Sequence, residues 1–419
     1  MALVAGLATR CGGSVVSTMP ESPIGPPWTV AAKIDPATAA GGYDDYPRLG
    51  VSRRGDVVAV WAHHVVRDGT YVRNGLRASR FFPESGWDPI STIPGIDDEY
   101  GESIAMDDDG LAIVVGTIAD WSLPHRVWAS RARPGSPWSA LELVPPGPGD
   151  AQSPRVVLPL PGLAVVTWLG ADGTHGKGWS SVDDGGWTPA QPLSLLGNFR
   201  IYSPNLVTDG NGHALATWFE PPLFDEGPVF ANVFQAGRGW TGERFVGPQG
   251  WAPVGGLDAS GRALVAWTTL GGLMMSRLST PDAHWTAATR GPGSYATDAH
   301  IALNAGGDAL AVWAQRNGSG RFEVWAATWA ASLGWGPARL VGPGVGPQVM
   351  FDATGRGAVV WDGDGRVYAR TYLPRTGWDP IVNLGPGSRV VAGIDGGGIV
   401  TAVWPSEGAI WFARLNPRP

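Results

Sequence analysis

Eight copies of one short pattern run through the chain, and no other feature limits its fold as tightly. In seven copies a glycine is followed by an apolar run that reaches tryptophan six residues later. They are GDVVAVW at Trp61, GLAVVTW at Trp168, GHALATW at Trp218, GRALVAW at Trp267, GDALAVW at Trp313, GRGAVVW at Trp361 and GIVTAVW at Trp404. The remaining copy, GLAIVVG, ends on Gly116 instead. Successive anchors stand 43 to 55 residues apart, the spacing of architectures built by repeating one supersecondary unit. We number the units one to eight from Trp61 to Trp404, with Gly116 anchoring unit two.

A second tryptophan follows each of the first seven anchors by 17 to 26 residues, usually after glycine: Trp87, Trp138, Trp187, Trp240, Trp285, Trp335 and Trp378. None follows Trp404. Its counterpart is Trp28, near the other end of the chain. Each unit then reads as four strands, as in PQVMF, GAVVW, RVYARTYL and WDPIVNL of unit seven. Turns rich in Asp, Asn and Gly separate them, because tight hairpins need positive φ at one or two positions. No 3.6-residue period persists, so helix content should be very low. The 62 glycines, 37 prolines and 22 tryptophans fit many short strands.

Four-stranded units arranged around a ring make a β-propeller. The sequence therefore predicts an all-β, eight-bladed β-propeller with four antiparallel strands per blade. The strand at 27–34 should complete the last blade beside three strands from 391–417, closing the ring without an open sheet edge. An open solenoid would leave that strand without a partner. Residues 25–419 form the propeller in this reading, and residues 1–24 a tail or the remnant of a signal.

These units resemble a bacterial propeller repeat of the form G-N-A-x-A-V-W … G-W-x-x-P, found in exported proteins. The Gly-Trp turn is also distantly similar to the Asp-box of sialidase-like propellers, Ser-x-Asp-x-Gly-x-x-Trp. The nearest approach is SVDDGGW, with Ser181, Asp183, Gly185 and Trp187, one residue shorter than that motif. The segment MALVAGLATRCGGSVVST resembles the end of a bacterial lipoprotein signal, which makes Cys11 a candidate lipid anchor. That resemblance implies export to the cell surface or periplasm; an ordinary tail is the other reading. Cys11 is the only cysteine, so no internal disulfide forms. No run approaches the roughly 20 apolar residues of a membrane span.

A net charge of −7 leaves no basic field for phosphates, which argues against a nucleic-acid partner. Function must be sought where propeller ligands usually sit, at the central mouth. Thirteen residues before each anchor lies one equivalent position per unit: Arg48, Ser103, Arg155, Asn205, Val254, His300, Gln348 and Val391. Adjoining loops add Asp44, Asp45, Tyr46, Tyr100, Glu102 and Asp298. From these, Arg48, Arg155, Asn205, His300, Gln348, Tyr46 and Tyr100 are the candidate binding residues.

The column holds no carboxylate, whereas glycoside hydrolysis wants two facing each other across a cleft. The Asp runs at Asp107–Asp109 and Asp362/Asp364 fall at hairpin turns and lack a distal glutamate for calcium. The seven histidines show no zinc spacing, and no phosphate loop, dinucleotide fingerprint or serine nucleophile motif occurs. No catalytic residue, metal or cofactor is assigned. The leading expectation is a monomeric, non-catalytic propeller that binds a glycan or a protein. The alternatives are a polysaccharide-acting hydrolase or lyase, and an architectural cell-surface module.

Overall fold

The structure is a computed structural model that describes residues 28–34, 42–67, 69–96, 100–120, 123–171, 176–194, 202–221 and 226–415. Among these residues every regular element is a strand. Each unit folds as a meander. In unit one, Gly42–Val51 pairs antiparallel with Val57–Arg67, which pairs with Thr70–Phe82. The fourth strand departs from the single run expected of it. In units one, four, six and seven it is two pieces, such as Gly86–Trp87 and Ser91–Ile93, both paired to the third strand. In units one, six and seven a proline separates the pieces (Pro89, Pro337, Pro380), and a residue without an N–H interrupts the ladder there; in unit four Thr241, Gly242 and Glu243 stand between them.

The turn between first and second strands explains the glycines. All eight, from Gly55 to Gly398, have φ between 76° and 100°, a region costly for any residue with a Cβ. An aspartate or asparagine usually opens this turn, and its side chain caps it. Asp107 Oδ1 accepts from the N–H groups of Asp109 and Leu111, and Asp258, Asn304, Asp352 and Asp395 act alike. The aspartates of MDDDG therefore shape a hairpin.

Apolar clusters lie between successive sheets. Trp168 packs with Ile113, Val115 and Val127 of the preceding unit, and Trp361 with Leu310, Val312 and Val324. Trp61, in unit one, packs with Val403 and Ile410 of unit eight. All seven anchor tryptophans are at most 2% exposed. Truncating a buried tryptophan costs roughly 3–5 kcal/mol, so these rings hold the sheets together.

Unit two solves its missing indole from across the strand. Trp128 lies directly opposite Gly116 and is fully buried among Val58, Val60 and Leu76 of unit one. Its counterparts Trp179, Trp325, Tyr368 and Trp411 are only half-buried. The void is already filled, so Gly116→Trp is expected to overpack and lower stability by roughly 1–3 kcal/mol. Urea denaturation would measure it, and a neutral or stabilising result would mean that the gap is open.

Two connections complete the chain path. Arg244–Leu257 is one strand that leaves the outer edge of unit four and becomes the first strand of unit five. Ala32–Lys33 pairs antiparallel with Ala409–Arg414, and Trp28 bridges to Leu415. The N-terminal segment is thus the fourth strand of a sheet whose other three come from the C-terminal end.

Candidate functional site

The first strands of neighbouring units lie against one another without pairing as a ladder, and side chains link them. Ser103 Oγ accepts from Val156 N at 3.1 Å. Gln348 spans from unit seven to unit eight, donating through Nε2 to Val390 O (3.0 Å) and accepting through Oε1 from Ala392 N (3.0 Å). The first-to-second-strand turns are latched as well. Gly396 N donates to Arg53 O, Arg53 N to Asp108 and Gly162 N to Asp107. The Arg53 guanidinium crosses to unit four, reaching Asp209 O at 2.9 Å and Asn211 Oδ1 at 3.1 Å. The turns of units one and four are thereby joined directly.

The opposite end carries a repeated irregularity. Two residues before the column position the chain is left-handed in six units: Tyr46, Ser153, Ala252, Asp298, Gly346 and Arg389, with φ from 47° to 59°. Five of these are not glycine, and each such residue costs on the order of 1 kcal/mol. The pairing of first and second strands bulges at the same place in seven units, as between Asp45 and Arg48 or Thr297 and His300. A bulge re-aims the side chains beside it. The same turn thus presents a different residue in each of these six units.

Arg48 and Arg155 share one conformation, each half-buried and donating to the carbonyl of the proline before it, at 3.1 and 3.0 Å. They flank unit two, whose Ser103 stands between them in the column. Asn205 is half-buried with its Oδ1 enclosed. His300 is exposed, and desolvation by the surrounding protein lowers its pKa from the usual value, with Asp298 opposing. Val254 and Val391 are half-buried. Tyr100 begins the strand Tyr100–Met106; its side chain and that of Glu102 lie outside the described residues, as does Trp121. Trp251 packs against the apolar cluster of units four and five.

Arg389 belongs to this site although column counting passed over it. Its guanidinium lies 4.4 Å from the Tyr46 ring centroid and donates to Asp45 Oδ2 at 2.7 Å, joining unit eight to unit one. Its N–H donates to Asp362. Beneath, Asp44 is buried against His63 (2.7 Å) with Arg77 at 4.0 Å. Burial raises the Asp44 pKa against the opposing influence of His63 and Arg77. Tyr43 stacks on His64 at 4.3 Å, so the two adjacent histidines engage different neighbours. Asp150 is held below the ordinary carboxylate range: burial would raise it, but hydrogen bonds from His125 and Gln152 prevail. Asp44, Asp45, Asp150 and Asp362 are thus each engaged. Among the described residues no group of three His, Cys, Asp or Glu is placed to hold a metal ion.

One carboxyl away from the column also departs from its usual state. Glu220 is 2% exposed, and burial, reinforced by the nearby Glu243 charge, lifts its pKa to about 7 against Trp218 and Lys177. It accepts from Trp218 Nε1 at 3.2 Å. In unit six Gln315 does the same for Trp313 at 2.9 Å. A neutral amide at the equivalent place marks Glu220 as an acceptor for the anchor indole.

No protein-family model and no curated protein matches the sequence. Solved structures do. The propeller of Dos1 aligns with a TM-score of 0.57 and 10% identity over 92% of this chain and 94% of that one. The fold is a β-propeller. Sqt1 of Chaetomium thermophilum, solved bound to the N-terminus of the ribosomal protein L10, aligns at 0.52 and 12% over 89% and 96%. The polysaccharide lyase Uly1 aligns at 0.51 and 10% over 89% and 90%. At such identities the likeness is one of fold, and the propeller's chemistry rests on its own residues.

Proposed function

We propose that this propeller has eight blades, closed by the N-terminal strand, and is a non-catalytic module binding one glycan or protein ligand at its central mouth. The observation that carries this reading is the set of left-handed bulge positions, which offers Tyr, Ser, Ala, Asp, Gly and Arg at one equivalent position. Strain maintained with unlike side chains fits one asymmetric ligand better than eight equal sites. Eight sequence units and an apolar cluster between units eight and one support the blade count and closure. Arg53 bridging the other end favours the face of Tyr46 and Arg389. No helix long and apolar enough to span a membrane occurs among the described residues. Residues 25–419 form the propeller, acting as a monomer, and Cys11, outside the described residues, is the lipid attachment point of an exported protein.

The ligand is an anionic glycan or an acidic peptide. Guanidinium groups grip carboxylate or sulfate bidentately, and Arg48, Arg155 and Arg389 supply them beside the aromatic face of Tyr46. A screen of glycans and acidic peptides, followed by calorimetry, is expected to find one site per chain. Arg48→Ala combined with Arg155→Ala should weaken binding by at least about tenfold without changing the melting temperature. Several equal sites, or full affinity in the double variant, would overturn the assignment. Turnover of a bound polysaccharide would favour an enzyme of the lyase or hydrolase kind instead.

A further inference from the structure

The repeats place an arginine at one register of the third strand in four units. Arg80, Arg131, Arg277 and Arg414 pair across with Val58, Ile113, Leu264 and Thr401, each three residues before its anchor. Three of the four are held by protein acceptors. Arg80 turns inward onto the carbonyl oxygens of Gly110 (2.7 Å) and Ala132 (3.3 Å) of unit two. Arg131 pairs with Asp183 at 2.7 Å and with Glu142. Arg414 donates to Thr401 Oγ1 at 3.2 Å, with Asp395 at 3.8 Å. The Arg277 guanidinium has no polar partner among the described residues and stands 5.9 Å from the Trp329 ring centroid.

A neighbouring residue accounts for the difference. Ala132 lies opposite Ala112, four residues before its anchor; the same position in unit six is Trp329, opposite Ala309. The indole stands where an alanine admits Arg80, so Arg277 stays outside, above the ring. What remains between units five and six is a cavity of about 200 Å³ floored by Leu264, Leu278, Leu303 and Trp329, with Arg277 in its wall. An apolar cavity of roughly 150 Å³ takes a benzene ring, so this one has room for a ring and a short chain.

Two other charges reach the cavity and cancel. Arg262 is paired with Asp258 and donates to Gly306 O at 3.1 Å. Asp258 is kept ionised, since hydrogen bonds from Ser260 and Arg262 outweigh the burial that would raise its pKa. Arg277 is left as the uncompensated positive charge beside an apolar floor. In the corresponding cavity between units one and two the matching arginine, Arg80, is already saturated, and the lining carries Asp88 as well as Arg133.

We propose that the cavity between units five and six is a second ligand site, for a small free carboxylic acid with an aromatic or branched apolar body. The body lies on Trp329 and the leucines, and the carboxylate meets Arg277 in a charge-assisted, bidentate pair. This site is on the turn face, away from Arg48, Arg155 and Arg389, and does not depend on what the mouth binds.

The test uses the whole chain with 3-phenylpropionate and, as the uncharged control, 3-phenylpropanamide. Ligand-observed NMR and tryptophan fluorescence titrations are expected to show saturable binding of the acid, at least about tenfold tighter than the amide. Arg277→Gln changes an exposed side chain and should reduce acid affinity to that of the amide, with melting unchanged. Trp329→Ala recreates the alanine of unit two and should abolish binding of both probes. The Arg48→Ala, Arg155→Ala protein should bind the acid normally. The proposal is overturned if the acid never saturates, if acid and amide bind alike, or if Arg277→Gln binds as well as the parent. Loss of acid binding in the Arg48/Arg155 variant would move the site to the mouth and overturn it equally.

Discussion

Removal of residues 1–35 is expected to unfold the protein at physiological temperature, or to leave it aggregating, while removal of residues 1–22 leaves the melting transition in place. The difference lies in one short segment. Trp28 is 2% exposed within the cluster of units seven and eight, and Ile34 is buried against unit one. Thr29 N donates to Arg414 O and Ile34 N to Ile410 O, both at 2.8 Å, and Arg414 N donates to Thr29 Oγ1. Losing the tryptophan alone costs roughly 3–5 kcal/mol, and losing the buried isoleucine adds to it. Native domains are stable by only about 5–15 kcal/mol, so the sum takes most of the margin. The deletion also bares the edge of Ala409–Arg414, whose unpaired backbone groups are a template for association. Thermal denaturation and size-exclusion chromatography on both truncations give the answer. Equal melting would show that the segment contributes nothing and that the last sheet stands on three strands.

Much of this architecture was legible because repetition turns a weak local signal into a strong one. One glycine before an apolar run says little. Eight in register mark the turn that the structure shows at positive φ, and the anchor tryptophans announced their burial in the same way. Three of the split fourth strands were written in the prolines after Gly-Trp, though their weight was plain only once the ladder was seen. The bulge residues carried no comparable sign. Tyr46, Ser153, Ala252, Asp298 and Arg389 share a backbone conformation and no side-chain chemistry, so residue type could not reveal them. Counting back from the anchors found their neighbours in the column and passed over Arg389. Glu220 was hidden for another reason, since its state depends on Trp218, Glu243 and Lys177, which only folding brings together. Arg277 is distinctive only beside Arg80, Arg131 and Arg414, a comparison that needs strand register.

Glutamine at position 220 is expected to stabilise the protein in mildly alkaline solution and to leave it unchanged in acid. In the folded chain the Glu220 carboxyl keeps its proton until about pH 7, whereas its ordinary pKa is 4.5. Between those values the native state binds more protons than the unfolded one, so the contribution of this group falls as pH rises. The stabilisation is fully present below the unfolded pKa and is lost once pH has passed the folded one. The gap amounts to roughly 3 kcal/mol at about 1.4 kcal/mol per unit. Glutamine is neutral throughout and still offers Trp218 Nε1 an acceptor, as Gln315 offers Trp313. It also removes the repulsion that an ionised Glu220 would feel from Glu243, at the cost of its attraction to Lys177. Urea denaturation of parent and Glu220→Gln should therefore coincide near about pH 4 and diverge with rising pH, the variant becoming more stable by up to roughly 3 kcal/mol above pH 8. Other titrating groups, the buried Asp44 among them, are common to both proteins and cancel in the difference. Parallel stability curves across that range would mean that Glu220 is ionised in the native state. A variant less stable at every pH would mean that the carboxyl itself, and not merely an acceptor, is what Trp218 requires.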